Sequence, residues 1–230
     1  MPLPPLQDPK EVTTRLVAHA KAGPIVGFLS GSLLGFNALQ TLSTALLPFA
    51  PGAFRTFNRW AADTWWGWCV TGARVLNGVE LVVTGDLIPP RENAIVVVNH
   101  QNMPDITFLM DFARQKERLG DMKWIVKEPI KYFPGIGWGM LFIDCVFVKR
   151  DWAKDRDSVR RTFAKLRDKK IPVWLISFSE GTRITPPKLA KSQAYAREQG
   201  LPEPRHTLLP RTKGFVATVE GLRDHVAAVY

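Results

Sequence analysis

Between Lys21 and Arg55 the chain carries no charged residue: Ala22 to Phe54 is an uninterrupted run of 33. About 20 apolar residues are enough for a helix to cross the hydrocarbon core of a bilayer. Gly23, Pro24, Gly27, Gly31 and Gly35 interrupt the Leu, Ile, Val and Phe of this run. Its length favours membrane insertion over the alternative, a buried core helix of a soluble protein. It also exceeds the roughly 7–15 apolar residues of a signal-peptide core, and no small-residue cleavage site stands out. Gly27, Gly31 and Gly35, spaced by four, predict a face on which another helix approaches closely in lipid.

Arg55 to Gly78 carries Trp60, Trp65, Trp66 and Trp68 beside Arg59, Asp63 and Arg74. Tryptophan favours the headgroup layer, where its ring is apolar and its N–H stays wet. The segment is expected to be an interfacial or hairpin helix packed on the first, with a tryptophan-rich core helix as the bland alternative. Basic residues flank the apolar run on both sides (Lys10, Arg15 and Lys21, then Arg55 and Arg59), so charge asymmetry gives no orientation and a re-entrant hairpin is as compatible as a full span.

After Val79 short β-type runs alternate with amphipathic helical patterns. The expected strands are Leu81–Thr84, Ala94–Val98, Lys123–Val126, Val146–Val148, Val173–Phe178 and His206–Leu209. Helical patterns lie near Ile106–Arg118, Asp151–Lys169, Leu189–Gln199 and Phe215–Arg223. This alternation predicts an α/β fold: a mixed, mostly parallel sheet flanked by helices, joined to an N-terminal membrane-inserted helical segment. The expected division is residues 1–79 as membrane-anchoring helices and 80–230 as the catalytic domain. The chain stops at Tyr230 as His225–Tyr230 begins to resemble a strand, the pattern of a C-terminally truncated sequence.

In such sheets reactive residues gather at the carboxyl ends of strands. The apolar strand Ala94–Val98 runs directly into Asn99-His100-Gln101-Asn102-Met103-Pro104-Asp105. Pro104 suits the first turn of a helix, where its missing N–H costs nothing. On one continuous helix, residues five apart project about 140° from each other. His100 and Asp105 therefore meet only if the histidine precedes the helix and the chain folds back. In that arrangement the carboxylate fixes the imidazole tautomer, and the other ring nitrogen can take a proton from an alcohol. No Gly-x-Ser-x-Gly elbow, phosphate-binding glycine loop or dinucleotide fingerprint is present. Neither Cys69 nor Cys145 has metal-ligand spacing, so no metal site is expected. A histidine–carboxylate pair without a protein nucleophile suits direct attack by a substrate hydroxyl on an activated acyl group. Downstream, Ser179-Glu180-Gly181-Thr182-Arg183 likewise leaves a hydrophobic strand. There an arginine can hold a phosphate through two parallel hydrogen bonds.

These motifs resemble those of the glycerolipid acyltransferases, specifically the 1-acylglycerol-3-phosphate acyltransferases. Asn99-His100 through Asp105 looks like the family's first block, Gly139-Met140-Leu141-Phe142-Ile143-Asp144 like its second, Glu180–Arg183 like its third and Leu208-Leu209-Pro210 like its fourth. Cys145 stands where many members have arginine, and Ser179 where many have proline. Val148-Lys149-Arg150-Asp151-Trp152 and Leu208–Phe215 resemble the eukaryotic gamma/delta-type branch. A lysocardiolipin-type branch tends to have aspartate where Arg183 stands, which tilts the acceptor toward lysophosphatidic acid.

The resemblance implies His100 as general base, Asp105 as its partner, and acyl-CoA as co-substrate with no further cofactor. It implies substrate-binding roles for Asn99, Asp144, Lys149, Arg150, Glu180, Gly181, Thr182, Arg183 and Pro210. Lys127 is a weaker phosphate candidate. It also implies an endoplasmic reticulum membrane with the active site facing the cytosol. Another lysophospholipid acceptor, a CoA-independent transacylase and a non-catalytic scaffold of the same fold stay open as alternatives.

With 31 Lys+Arg against 21 Asp+Glu, the net charge of +10 calls for an anionic partner. Lys149–Lys170 contributes 10 Lys+Arg and 4 Asp, hence +6. It reads either as a solvated helix face or as a contact for anionic headgroups and CoA phosphates. No groove-reading motif accompanies it, so nucleic acid is not an expected partner; acyl-CoA, lysophospholipid and membrane lipids are. Two cysteines cannot form a disulfide framework, and both are expected to pack as small apolar residues. His19, His206 and His225 are expected to be ordinary surface or core residues.

Overall fold

A computed structural model describes residues 12–230. Lys10 lies outside them, and the side chains of Arg15, His19 and Lys21 are likewise not described. Helix α1 spans Val12–Ser43 and runs into a 3₁₀ turn at Thr44–Leu46. Helix α2 spans Pro51–Asn77, with Pro51 in its first turn and Gly78 closing it in the left-handed conformation (φ 59°). The charge-free run thus folds as most of α1, a 3₁₀ turn and the first turn of α2, which Pro51 starts.

Helix α2 has two packed sides. Ala62, Trp66 and Val70 are buried in the core of the sheet domain. On the other side, Trp68 and Trp60 stack against Phe28 and Phe36 of α1, and the Trp65 indole N–H donates to the Leu29 carbonyl (3.1 Å). The tryptophans therefore join core, helix pair and surface, with Trp60 about half exposed. The glycine stripe of α1 does not mediate this contact: a Cβ built at Gly27, Gly31 or Gly35 would meet nothing within 4 Å. Among the described residues one helix, Ala22–Leu46, is long and apolar enough to cross a membrane, with mean hydropathy 1.4. Little of it is buried.

The sheet contains β1 (Ala94–Val98), β2 (Met122–Lys127), β3 (Val146–Val148), β4 (Trp174–Phe178) and β5 (Ala228–Val229). All pairings are parallel and the order is β3-β2-β4-β1-β5. Strand residues alternate between faces. Ala94, Val96, Trp174 and Ile176 pack toward α2 and α3 (Pro104–Gln115). Ile95, Val173 and Leu175 pack toward α5 (Trp152–Asp168) and α7 (Thr212–Leu222). Burial on both faces is why these strands read as continuous apolar runs. Helix α4 (Ile136–Phe142) follows β2, and α6 (Pro186–Glu198) follows β4.

Two expected strands are absent. Leu81–Thr84 and His206–Leu209 join no strand of the sheet, His206 and Thr207 lying in a bend, so β-type composition there has no ladder to join. Residues 228–229 do pair with β1, completing the pattern glimpsed at His225–Tyr230. One close approach docks α2 onto the sheet domain: a Cβ on Gly120 would lie 2.6 Å from the Arg59 carbonyl oxygen and 3.0 Å from the Asp63 Cβ.

Candidate active site

From β1 the chain crosses to β2 by way of α3; from the adjacent β4 it leaves toward β5 by way of α6 and α7. The two connections run to opposite faces and opposite edges of the sheet. Both turns therefore stand side by side at the carboxyl ends of β1 and β4, the usual place for a ligand in an open parallel sheet. His100 lies two residues beyond β1 and Glu180 two beyond β4.

His100 precedes α3 and Asp105 sits in its first turn, so the chain folds back as the spacing requires. Asp105 Oδ2 lies 2.9 Å from His100 Nδ1 and also accepts the N–H groups of Gln101 and Asn102, both at 2.8 Å. Three partners on one oxygen hold this carboxylate in place. The imidazole stacks on Phe178 with centroids 4.2 Å apart, which fixes the ring plane. Among the described residues Nε2 has no partner.

The second turn is tied to the first by backbone: Ile184 N–H donates to the His100 carbonyl (2.9 Å). Gly181 adopts φ 70° and donates to the Phe178 carbonyl (2.8 Å), closing a tight turn. Glu180 is buried, and its carboxylate faces the N–H groups of Leu208 and His100 without completing a bond to either. Burial pushes its carboxyl above the usual range, against the pull of those N–H groups and of His100. The Thr182 hydroxyl is engaged by Lys188 (2.8 Å), while Arg183 points outward, exposed. Asn99 is exposed at the end of β1.

Lys149 and Arg150 follow the carboxyl end of β3 and so reach the same edge. The buried Asp155 clamps their turn, accepting the Lys149 N–H (2.8 Å) and the Asp151 N–H (3.2 Å). Arg150 is held at φ 66°. Burial, then the charge of Arg211, push its guanidinium below the ordinary range. Arg211 follows Pro210, and its N–H donates to the Ser179 carbonyl (2.8 Å). Its side chain passes so close to Gly181 that a Cβ there would lie 3.0 Å from it. Arg150, Arg183 and Arg211 have no carboxylate partner among the described residues. Arg211 lies in the Leu208–Phe215 stretch that carries the branch resemblance but is given no site role there; its backbone bond to Ser179 is visible only in three dimensions. Lys127 also ends its strand at this edge, exposed.

Asp144 is not brought to this group. By register it aligns with Lys123, Leu175 and Ile95, five residues before His100, or about 16 Å at about 3.3 Å per residue. There it pairs with Arg55 (3.0 Å) and with Lys165. The block Gly139–Asp144 thus forms α4 and the turn leading into β3, and it is Lys149–Arg150 that stand where β3 ends.

A family model described as Acyltransferase matches residues 80–230. The chain belongs to the acyltransferase family. It is 37% identical over 213 residues to 1-acyl-sn-glycerol-3-phosphate acyltransferase 2 of Brassica oleracea, covering 90% of this chain and 54% of that relative. It is 34% identical over 221 residues to the gamma form of Homo sapiens, covering 94% and 58%. To the delta form of Rattus norvegicus it is 35% identical over 212 residues, covering 88% and 54%. The acyltransferase chain therefore spans about half the length of the curated relatives it matches. No solved structure matches it.

Cys145 is buried in the sheet core, where burial pushes its thiol up to about 11, and Cys69 packs against the same core; both are free. His225 Nε2 bonds the Ile171 carbonyl (2.6 Å), a structural role, and His206 is exposed.

Proposed function

We propose that this protein transfers a fatty acyl group from acyl-CoA to the sn-2 hydroxyl of lysophosphatidic acid, giving phosphatidic acid. The observation that carries the proposal is the pair of turns at the ends of β1 and β4. It joins a carboxylate-oriented histidine to guanidiniums of Arg150, Arg183 and Arg211 that have no carboxylate partner. The names of the gamma and delta relatives support the same acceptor.

In this reading His100 Nε2 takes the proton of the sn-2 hydroxyl, and Asp105 stabilises the imidazolium that forms. The alkoxide oxygen attacks the thioester carbonyl carbon. Collapse of the tetrahedral adduct forms the ester and breaks the C–S bond, and the imidazolium returns its proton to the departing thiolate. Products are phosphatidic acid and free CoA. Arg150, Arg183 and Arg211 bind the acceptor phosphate through charge-assisted hydrogen bonds. Asp155 acts through Arg150 as a positioning residue. Helix α1 seats the enzyme on its lipid substrate, its exposed apolar length supporting membrane association; the endoplasmic reticulum and a cytosol-facing site are the location the family resemblance implies. Residues 80–230 constitute the catalytic unit, with 1–79 as its anchor.

Thiol release from acyl-CoA by purified protein, measured against a panel of lysophospholipids and without acceptor, tests this. Release with lysophosphatidic acid well above the other acceptors is expected. Transfer between lipids without CoA would overturn the donor assignment, and absence of any transfer would overturn the enzyme.

A further inference from the structure

A second charged cavity, of about 410 Å³, opens at the opposite, amino-terminal edge of the sheet. Its walls are the first turns of α2, the start of β2 and the turn between α5 and β4. Lys123 forms part of its lining, only 4% exposed, and its amine has no hydrogen-bond or ion-pair partner among the described residues. Burying an unpaired ammonium is costly, so such a group is normally kept only where a counter-charge reaches it.

The carboxylates that line the cavity make no bond to this amine and are each held by other cations, Glu117 by Arg91 (2.6 Å). Asp121 is held by Arg59 (2.7 and 3.0 Å) and by Arg118 (3.0 Å), and Asp144 by Arg55 and Lys165. Lys169 and Lys170, on the rim, pair with no carboxylate among the described residues. The cavity therefore has a saturated set of carboxylates and an excess of positive charge. Its volume lies within the roughly 300–1,000 Å³ of small-molecule sites.

We propose that this cavity is a second anion site, separate from the His100 site, that takes a small phosphorylated anion between Lys123 and the Lys169–Lys170 turn. The phosphate has two possible sources. It can be free in solution, or it can be the headgroup of a phospholipid. For the second, Arg55 and Arg59 stand one to two helical turns beyond the exposed apolar bend at Leu46, Leu47 and Phe49. The site does not depend on the chemistry assigned to His100.

The test uses the full chain in detergent micelles, in an Arg150→Ala/Arg183→Ala/Arg211→Ala background that removes the phosphate ligands proposed at the His100 site. Pyrophosphate binding is measured by calorimetry, and phosphatidylcholine vesicles with and without phosphatidic acid are offered in a flotation assay. Binding to at least one probe is expected to survive in that background. Lys169→Ser/Lys170→Ser should then weaken it about tenfold or more, the effect of losing one charge-assisted hydrogen bond. Lys123→Met should do the same where it folds. Arg160→Ser/Arg161→Ser, removing equal charge from the exposed face of α5, should change binding less than twofold or so. Dependence seen with pyrophosphate names a soluble ligand, and dependence seen only with phosphatidic acid vesicles names a headgroup. Equal losses in the two double variants, or no binding to either probe, would overturn the site.

Discussion

Arg150 combines a side chain proposed to bind phosphate with a backbone conformation that residues other than glycine rarely adopt, so its two contributions can be separated by substitution. At φ 66° the residue carries a left-handed penalty of about 1 kcal/mol, which the Asp155 clamp on Lys149 and Asp151 offsets. Arg150→Ala keeps the penalty and loses the guanidinium; Arg150→Gly loses both. The glycine variant should therefore be the more stable of the two by about 1 kcal/mol, or about 2–4 °C in Tm for a chain of this size. Both should raise KM for lysophosphatidic acid about tenfold to a hundredfold, as expected for a lost charge-assisted phosphate contact. Neither should alter KM for 1-monoacylglycerol, which has no phosphate. Thermal unfolding and thiol-release kinetics on the same preparations make the comparison. An alanine variant at least as stable as the glycine variant would refute the strain argument. Unchanged KM for lysophosphatidic acid in both would remove Arg150 from the phosphate site.

Gly120→Ala forces a methyl to within 2.6 Å of the Arg59 carbonyl oxygen, where backbone has to move; a loss of about 1–3 kcal/mol in denaturant unfolding is expected, and a neutral result would contradict the tight docking of α2. Glu180 titrates above the usual carboxylate range when folded, so the native state holds its proton more readily than the unfolded chain. Its stabilising effect is complete below about pH 4 and declines as pH rises through the raised value. Glu180→Gln should accordingly raise Tm at pH 7 relative to wild type, with the gain vanishing toward pH 4. A gain that grew on acidification would reverse the assignment.

Much of this arrangement was legible before folding because both faces of the sheet are covered. Ala94–Val98 and Val146–Val148 stand out as apolar runs and are strands with those bounds. The His100–Asp105 meeting follows from Pro104 starting a helix after the histidine. What composition cannot supply is the partner. Leu81–Thr84 is β-prone but has no neighbouring edge, and the glycines of α1 face open space rather than α2. Helix α4 escaped notice because glycines at 135, 137 and 139 mask a helical pattern, although Gly137 is buried by close packing. Asp144 was placed with the substrate by motif resemblance, whereas strand register puts it about 16 Å from the His100 level and beside Arg55. Arg211 belongs to the Leu208–Phe215 block, but its place over the Gly181 turn is not legible, the two being distant in sequence.

The most direct test of the account is acyl transfer by His100→Ala and Asp105→Asn in protein shown by circular dichroism and vesicle flotation to be folded and bound. With the base removed, thiol release from acyl-CoA in the presence of lysophosphatidic acid should fall about a hundredfold to ten-thousandfold. Asp105→Asn, which keeps the side-chain shape but removes the charge on Nδ1, should fall less steeply and leave KM for acyl-CoA near its wild-type value. Turnover retained by a folded His100→Ala would contradict the central claim that this imidazole takes the proton of the acceptor hydroxyl.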